Sequence, residues 1–215
     1  MYAKYVKRIL DFTLSLLALI ILSPIMLILA ICIKVDSKGP IFFLQERLGR
    51  NGKVFKIIKF RTMIVNAEHI GDGLSVKTEN DNRITKIGKI LRKTSLDELP
   101  QLINVVKGDM ALIGPRPPVT YHPHKFEDYP EHQKPRFNVR PGITGLAQAR
   151  VRNNATWDER IEIDLEYINK ITFLGDIKII FDTIKCIFKK ENIYQVQNVA
   201  NNEVKETEKK EHANV

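Results

Sequence analysis

From Ile9 to Ile33 the chain is almost continuously apolar, interrupted only by Asp11 and by Ser23-Pro24. A helix of that length, at about 1.5 Å per residue, exceeds a hydrocarbon core of about 30 Å, so a plain membrane span is one reading. Pro24 argues for another. It removes the hydrogen bond to the Ile20 carbonyl and crowds the preceding turn, while the Ser23 hydroxyl can bond back to the backbone. Each arm is then about 20 Å long, too short to cross but long enough to enter one leaflet and return. Lys4, Lys7 and Arg8 precede the run, and Lys34, Lys38, Arg47, Arg50 and Lys53 follow it. Cations on both flanks favour one cytoplasmic side for both ends. The expectation is a re-entrant helix-break-helix over residues 1–34, kinked at Ser23 and Pro24. A cleaved leader is disfavoured, because the run exceeds the usual roughly 7–15 apolar residues and no small-residue cleavage pattern follows.

The formal charge of +9 calls for an anionic partner: nucleic acid, acidic lipid or a phosphate-rich substrate. The basic residues lie beside membrane-prone segments and no nucleic-acid module is recognisable, so anionic membrane lipid is expected and nucleic acid is not. Cys32 and Cys186 sit in apolar stretches and read as reduced hydrophobes, not a disulfide or metal pair.

Residues 35–193 read as one domain of α+β class, helix-rich with a small β-hairpin, carrying amphipathic helices at the membrane interface. Pro40–Leu44 and Val54–Phe60 are strand-like and flank Gly49–Lys53, whose Asn51-Gly52 signals a tight turn. Arg83–Thr94 has apolar residues at helical spacing between Lys86, Lys89, Arg92 and Lys93. Ser95 and Glu98 match a capping box, which places Asp97 and Glu98 near a helix N-terminus ending at Gly108. Pro- and Gly-rich loops follow, then a helix from about Trp157 to Ile171. Asp164 falls on the apolar stripe of that helix, as a buried structural partner or a functional carboxylate. The segment from Gly175 to Lys190 is amphipathic and either packs on the domain or lies in the interface. The polar stretch 194–215 reads as disordered.

Tyr121-His122-Pro123-His124 and its acidic neighbours lack metal-ligand spacing. The stronger constellation is Asp97-Glu98 among Lys59, Arg61, Arg92, Arg116, Arg140 and Arg152. It is either a salt-bridge network or a phosphoryl-transfer site, where cations neutralise phosphate so that an anionic nucleophile can approach. Arg116, in Gly114-Pro115-Arg116-Pro117-Pro118, has a backbone restricted enough to hold a guanidinium for phosphate contact.

Ser23-Pro24, KFRTM (Lys59–Met63), SLDELPQLINV (Ser95–Val105), GDMALIGPRP (Gly108–Pro117), RPGITGLAQ (Arg140–Gln148) and the Trp157–Asp164 segment occur in that order. Together they resemble bacterial sugar transferases of the small, monotopic phosphoglycosyl transferase family, over about Lys7 to Ile193. The resemblance implies transfer of a sugar 1-phosphate from a UDP-sugar to undecaprenyl phosphate, with Mg2+, at the cytoplasmic face of the cell membrane. The products would be undecaprenyl-diphosphate-sugar and UMP, the first step of exopolysaccharide, capsule or glycoconjugate synthesis. It implies Asp97 as covalent nucleophile, Glu98 as metal ligand with Asp97 or as a group of the acceptor step, and Lys59 and Asp164 as further functional positions. Arg61, Arg92, Arg116, Arg140 and Arg152 are the substrate-binding candidates. Val151-Arg152-Asn153 stands where Gly-Arg-Asn is expected, and Ile161 replaces a Phe. Neither the sugar nor an oligomeric state follows from the sequence. The alternative from another class is a non-enzymatic basic membrane adaptor.

Overall fold

The computed structural model describes residues 2–70, 81–151 and 154–189. Its class is α+β, as expected. Helix α1 (Lys7–Asp36) leads into strands β1 (Phe42–Leu48) and β2 (Val54–Phe60), helix α2 (Lys86–Thr94) and helix α3 (Gln101–Lys107). Strands β3 (Ala111–Ile113) and β4 (Gly142–Thr144) come next, followed by helices α4 (Leu146–Val151), α5 (Trp157–Asn169) and α6 (Phe173–Lys189). The stretch 194–215 lies outside the described residues.

Helix α1 runs without interruption through Pro24. The Ser23 hydroxyl donates to the Ile20 carbonyl at 2.8 Å, the acceptor that Pro24 leaves without its usual donor. Both ends of α1 are fixed to the same domain. Near the start, Lys7 bonds Asp176 at 2.8 Å, and Arg8 donates to the Val105 and Val106 carbonyls at 2.7 and 3.2 Å. Near the end, Ile33 is buried with Phe60 and Leu91. The Ser23-Pro24 step is where the hydrogen-bond ladder of α1 lacks a donor. Among the described residues α1 is the one helix long and apolar enough to cross a membrane. Its middle exposes Ile20, Ile21, Leu27 and Ile28.

The hairpin forms around the Asn-Gly turn, where Asn51 and Gly52 both take positive φ. The strands pair antiparallel from Phe42 opposite Phe60 to Leu48 opposite Val54, so β1 reaches four residues past the expected Leu44. The loop is only Gly49–Lys53, and pairing closes up to it. Helix α2 starts later than expected because Thr85 is its N-cap, accepting from the Gly88 N–H, while Arg83 is bonded to Asp81. The capping box at Ser95 and Glu98 does not form. Ser95 is left-handed (φ 57°) and closes α2 through its N–H, so Leu96–Glu98 make a 3-10 turn and α3 begins only at Gln101.

The segments read as Pro- and Gly-rich loops contain a parallel strand pair, with Ala111 opposite Gly142 and Ile113 opposite Thr144. The close crossing demands glycine: a Cβ on Gly142 would collide with the Gly114 nitrogen, and one on Gly145 with the Gly114 carbonyl oxygen. Helix α5 carries a full capping box between Thr156 and Glu159. Helix α6 buries Asp176 and Ile179 against the domain but leaves Phe173, Leu174, Ile180, Phe181 and Ile184 exposed.

Candidate active site

Leu96 and Leu99 pack into the core around Ile33, Phe60 and Leu91. In a 3-10 turn residues three apart stack on one side, so burial of these two leucines turns Asp97 and Glu98 the other way. Lys59, next to last in β2, donates to Glu98 Oε1 at 2.6 Å, and Arg116 approaches the same oxygen at 4.0 Å. Arg92 lies near Asp97, held by its Nε bond to Thr62 Oγ1 at 2.9 Å.

The two carboxylates have unlike surroundings. Burial pushes the Asp97 carboxyl up to about 6, against the pull of Lys59 and with a further push from Glu98. Burial also acts on Glu98, but Lys59, Arg116 and Arg47 together outweigh it and hold that carboxyl below its ordinary range. Asp97 has no hydrogen bond to another side chain among the described residues. Glu98 is therefore the paired member, its charged form favoured by Lys59 and the arginines, and Asp97 the unpaired one, an arrangement suited to a nucleophile beside a charged neighbour.

Of the residues singled out from sequence, Lys59, Asp97, Glu98, Arg92 and Arg116 come together. Two arginines are committed elsewhere. Arg61 is buried and donates to the Ile33, Ser37 and Lys38 carbonyls, closing the end of α1. Arg140 donates to the Gly108 carbonyl, at the end of α3 away from the dyad. Both bind carbonyls at or just beyond helix ends, a task for which a guanidinium is as well suited as for phosphate. Asp164 is 1 % exposed, on the buried face as its spacing indicated, and takes a 2.7 Å bond from Arg136 Nη2. It stands behind the Arg116 loop. Arg152 lies outside the described residues.

Sequence reasoning missed two residues. Arg47, in β1, lies close enough to Arg116 and Glu98 to feel both charges, and burial followed by Arg116 pushes it down to about 10. Arg136 is buried in a 3-10 segment, Lys134–Asn138. No periodic pattern marks either one.

For Mg2+ the relevant test is the donor set. Among the described residues no cluster of three or more His, Cys, Asp or Glu side chains is placed to hold a metal. Mg2+ commonly takes only one or two carboxylates and completes its shell with water and substrate phosphate. Asp97 and Glu98 fit that smaller role.

The model of the bacterial sugar transferase family matches residues 2–190. The galactosyl transferase CpsE of Streptococcus agalactiae serotype III is 47 % identical over 191 residues, covering 84 % of this chain and 42 % of that protein. The UDP-glucose:undecaprenyl-phosphate glucose-1-phosphate transferase of Escherichia coli K12 is 40 % identical over 187 residues, covering 84 % of this chain and 40 % of its own length. The chain thus spans about two fifths of these two relatives. An uncharacterized sugar transferase of Bacillus subtilis 168, EpsL, is 39 % identical over 193 residues, covering 90 % of this chain and 92 % of that protein. A match through α1, the dyad and α6 alike, at near-full length in EpsL, makes this chain a member of the bacterial sugar transferase family.

Proposed function

We propose that the protein transfers a sugar 1-phosphate from a UDP-sugar to undecaprenyl phosphate, through a phosphosugar carried on Asp97. The observation that carries this reading is the Asp97 carboxylate, free of side-chain hydrogen bonds among the described residues, beside the Lys59–Glu98 pair and within the field of Arg92. The names of the relatives supply the substrate class: one acts on UDP-glucose and undecaprenyl phosphate.

In the first half-reaction an Asp97 oxygen attacks the sugar-side phosphorus. A phosphorus–oxygen bond forms to the carboxylate, the bridging bond breaks, and UMP leaves with its electron pair. In the second, a phosphate oxygen of undecaprenyl phosphate attacks the same phosphorus and restores the carboxylate. Arg116 is placed to draw charge from the donor phosphates, and Lys59 keeps Glu98 ionised and oriented. Mg2+, held by Asp97 and Glu98 with the diphosphate, would supply further neutralisation of phosphate charge. With UDP-sugar and no acceptor, the protein should release up to one equivalent of UMP and gain one hexose-phosphate mass. Absence of both, across a panel of UDP-sugars, would leave the adaptor reading in place.

The acceptor is a lipid, and α1 is the element suited to meet it. We place the exposed middle of α1 in one leaflet, with both ends on the cytoplasmic face and the apolar side of α6 in the interface. Tyr5 and Val35 are exposed at the two ends. In a variant lacking Cys32 and Cys186, Tyr5→Cys and Val35→Cys should both react with a membrane-impermeant thiol reagent only in inside-out vesicles. Reaction from opposite sides would restore the plain span.

A further inference from the structure

The loop that presents Arg116 has little means of holding itself. Pro115, Pro117 and Pro118 have no N–H to donate, so its position depends on what its carbonyls accept. Four successive carbonyls each accept one hydrogen bond. Gly142 N–H donates to Pro115 at 3.0 Å and Leu48 N–H to Pro118 at 3.0 Å. The two between are held by side chains: Arg136 Nη2 donates to the Arg116 carbonyl at 3.1 Å, and Arg47 Nη1 to the Pro117 carbonyl at 2.9 Å.

Arg136 is fixed by its surroundings. It is 2 % exposed, its guanidinium lies 5.4 Å from the Phe137 ring centroid and 6.0 Å from that of Trp157, and the same Nη2 also holds Asp164 Oδ2 at 2.7 Å. Asp164 is its counter-charge, buried to the same degree. A charge pair so far from water is costly and is a weak source of net stability. What it provides here is a fixed point behind the Arg116 backbone, while the Arg116 side chain, 39 % exposed, turns toward Glu98.

Resting on the proposed transfer reaction, we infer that Arg136 and Asp164 are positioning residues, which act on the donor phosphates only through the backbone of Arg116. Asp164 then touches no reacting atom. This gives the functional position that the family resemblance implies a supporting role, and it adds Arg136 to the machinery. The device is economical in geometric terms: one nitrogen joins the end of one segment, a helix-borne carboxylate and the loop that carries the substrate-facing cation.

The test is a double-mutant cycle read on kcat/KM for UMP release. Arg136→Met alone would leave Asp164 buried without a partner and risk unfolding, so the strut is removed as the pair Arg136→Met with Asp164→Leu, which leaves no lone charge. In the wild-type background this pair should lower kcat/KM by about 100-fold, the scale of a misplacement of about 1 Å. In an Arg116→Ala background it should lower the remaining rate less than twofold, because there is no guanidinium left to position. Arg136→Lys, which keeps a cation able to donate, should retain more activity than the double replacement. Equal losses in both backgrounds, or no loss in the first, would overturn the inference. Wild-type protein that releases no UMP would instead overturn the transfer reaction itself, so the two failures are separable.

Discussion

Asp97→Asn should abolish the hexose-phosphate adduct and lower UMP release by roughly 10^4-fold or more, the scale expected when a covalent nucleophile is removed. The amide is nearly isosteric and lies beside a pair, Lys59–Glu98, that it leaves intact. Loss of activity should therefore come without loss of fold, seen as an unchanged circular dichroism spectrum and unfolding temperature. The pH profile supplies an independent signature. Asp97 must be ionised to attack, and its carboxyl is pushed up to about 6 in the free protein, so the proton that blocks attack is bound below that pH. The first half-reaction should then lose kcat/KM about tenfold for each pH unit below about 6 and level off above it. An ordinary exposed aspartate would hold its rate down to about pH 4. A profile flat from pH 7 to 4.5, or an active Asp97→Asn protein, would sink the assignment of the nucleophile.

Those parts of the fold that depend on local chemistry were readable in the sequence. Asn51-Gly52 takes the positive φ values its hairpin needs, and Asp164 lies on the buried stripe of α5 as its spacing indicated. Misreadings arose where one residue had two local uses. Ser95 can cap a helix that follows or close one that precedes, and the left-handed close prevails because it ends α2 while Leu96 and Leu99 turn into the core. Strands β3 and β4 are three residues each, too short for alternation to register among glycines and prolines. At the site, the Asp97-Glu98 neighbours in sequence were legible, whereas the arginines were sorted only by the fold. Arg61 and Arg140 bind helix-end carbonyls, Arg47 and Arg136 bind loop carbonyls, and Arg116 faces the dyad. A guanidinium suits all three tasks equally, so composition and spacing do not separate them.

Replacing Asp176 by alanine should destabilise the protein by about 3–5 kcal/mol, the cost of leaving a buried partner charge uncompensated. Asp176 is buried at the start of α6 and accepts from Lys7 Nζ at 2.8 Å, Tyr2 Oη at 2.6 Å and Tyr167 Oη at 2.8 Å. One carboxylate thus joins the approach to α1 with α5 and α6. Without it, among the described residues the Lys7 ammonium keeps only Asp11, at 3.7 Å. For a chain of this size the loss corresponds to a fall in unfolding temperature on the order of 10 °C, measurable in nanodiscs. Asp176→Asn, which keeps an acceptor but removes the charge, should fall between alanine and wild type. Lys7→Met with Asp11→Asn and Asp176→Leu should recover part of the loss, because it removes all three buried charges together and keeps an acceptor for the Leu112 N–H. This series separates two features of α1. Pro24 breaks the ladder but does not say where the arm goes, whereas the Asp176 cluster holds the arm in place. If Asp176→Ala leaves the unfolding temperature unchanged, the start of α1 is held by Arg8 and its carbonyl contacts, and the buried cluster contributes nothing to stability.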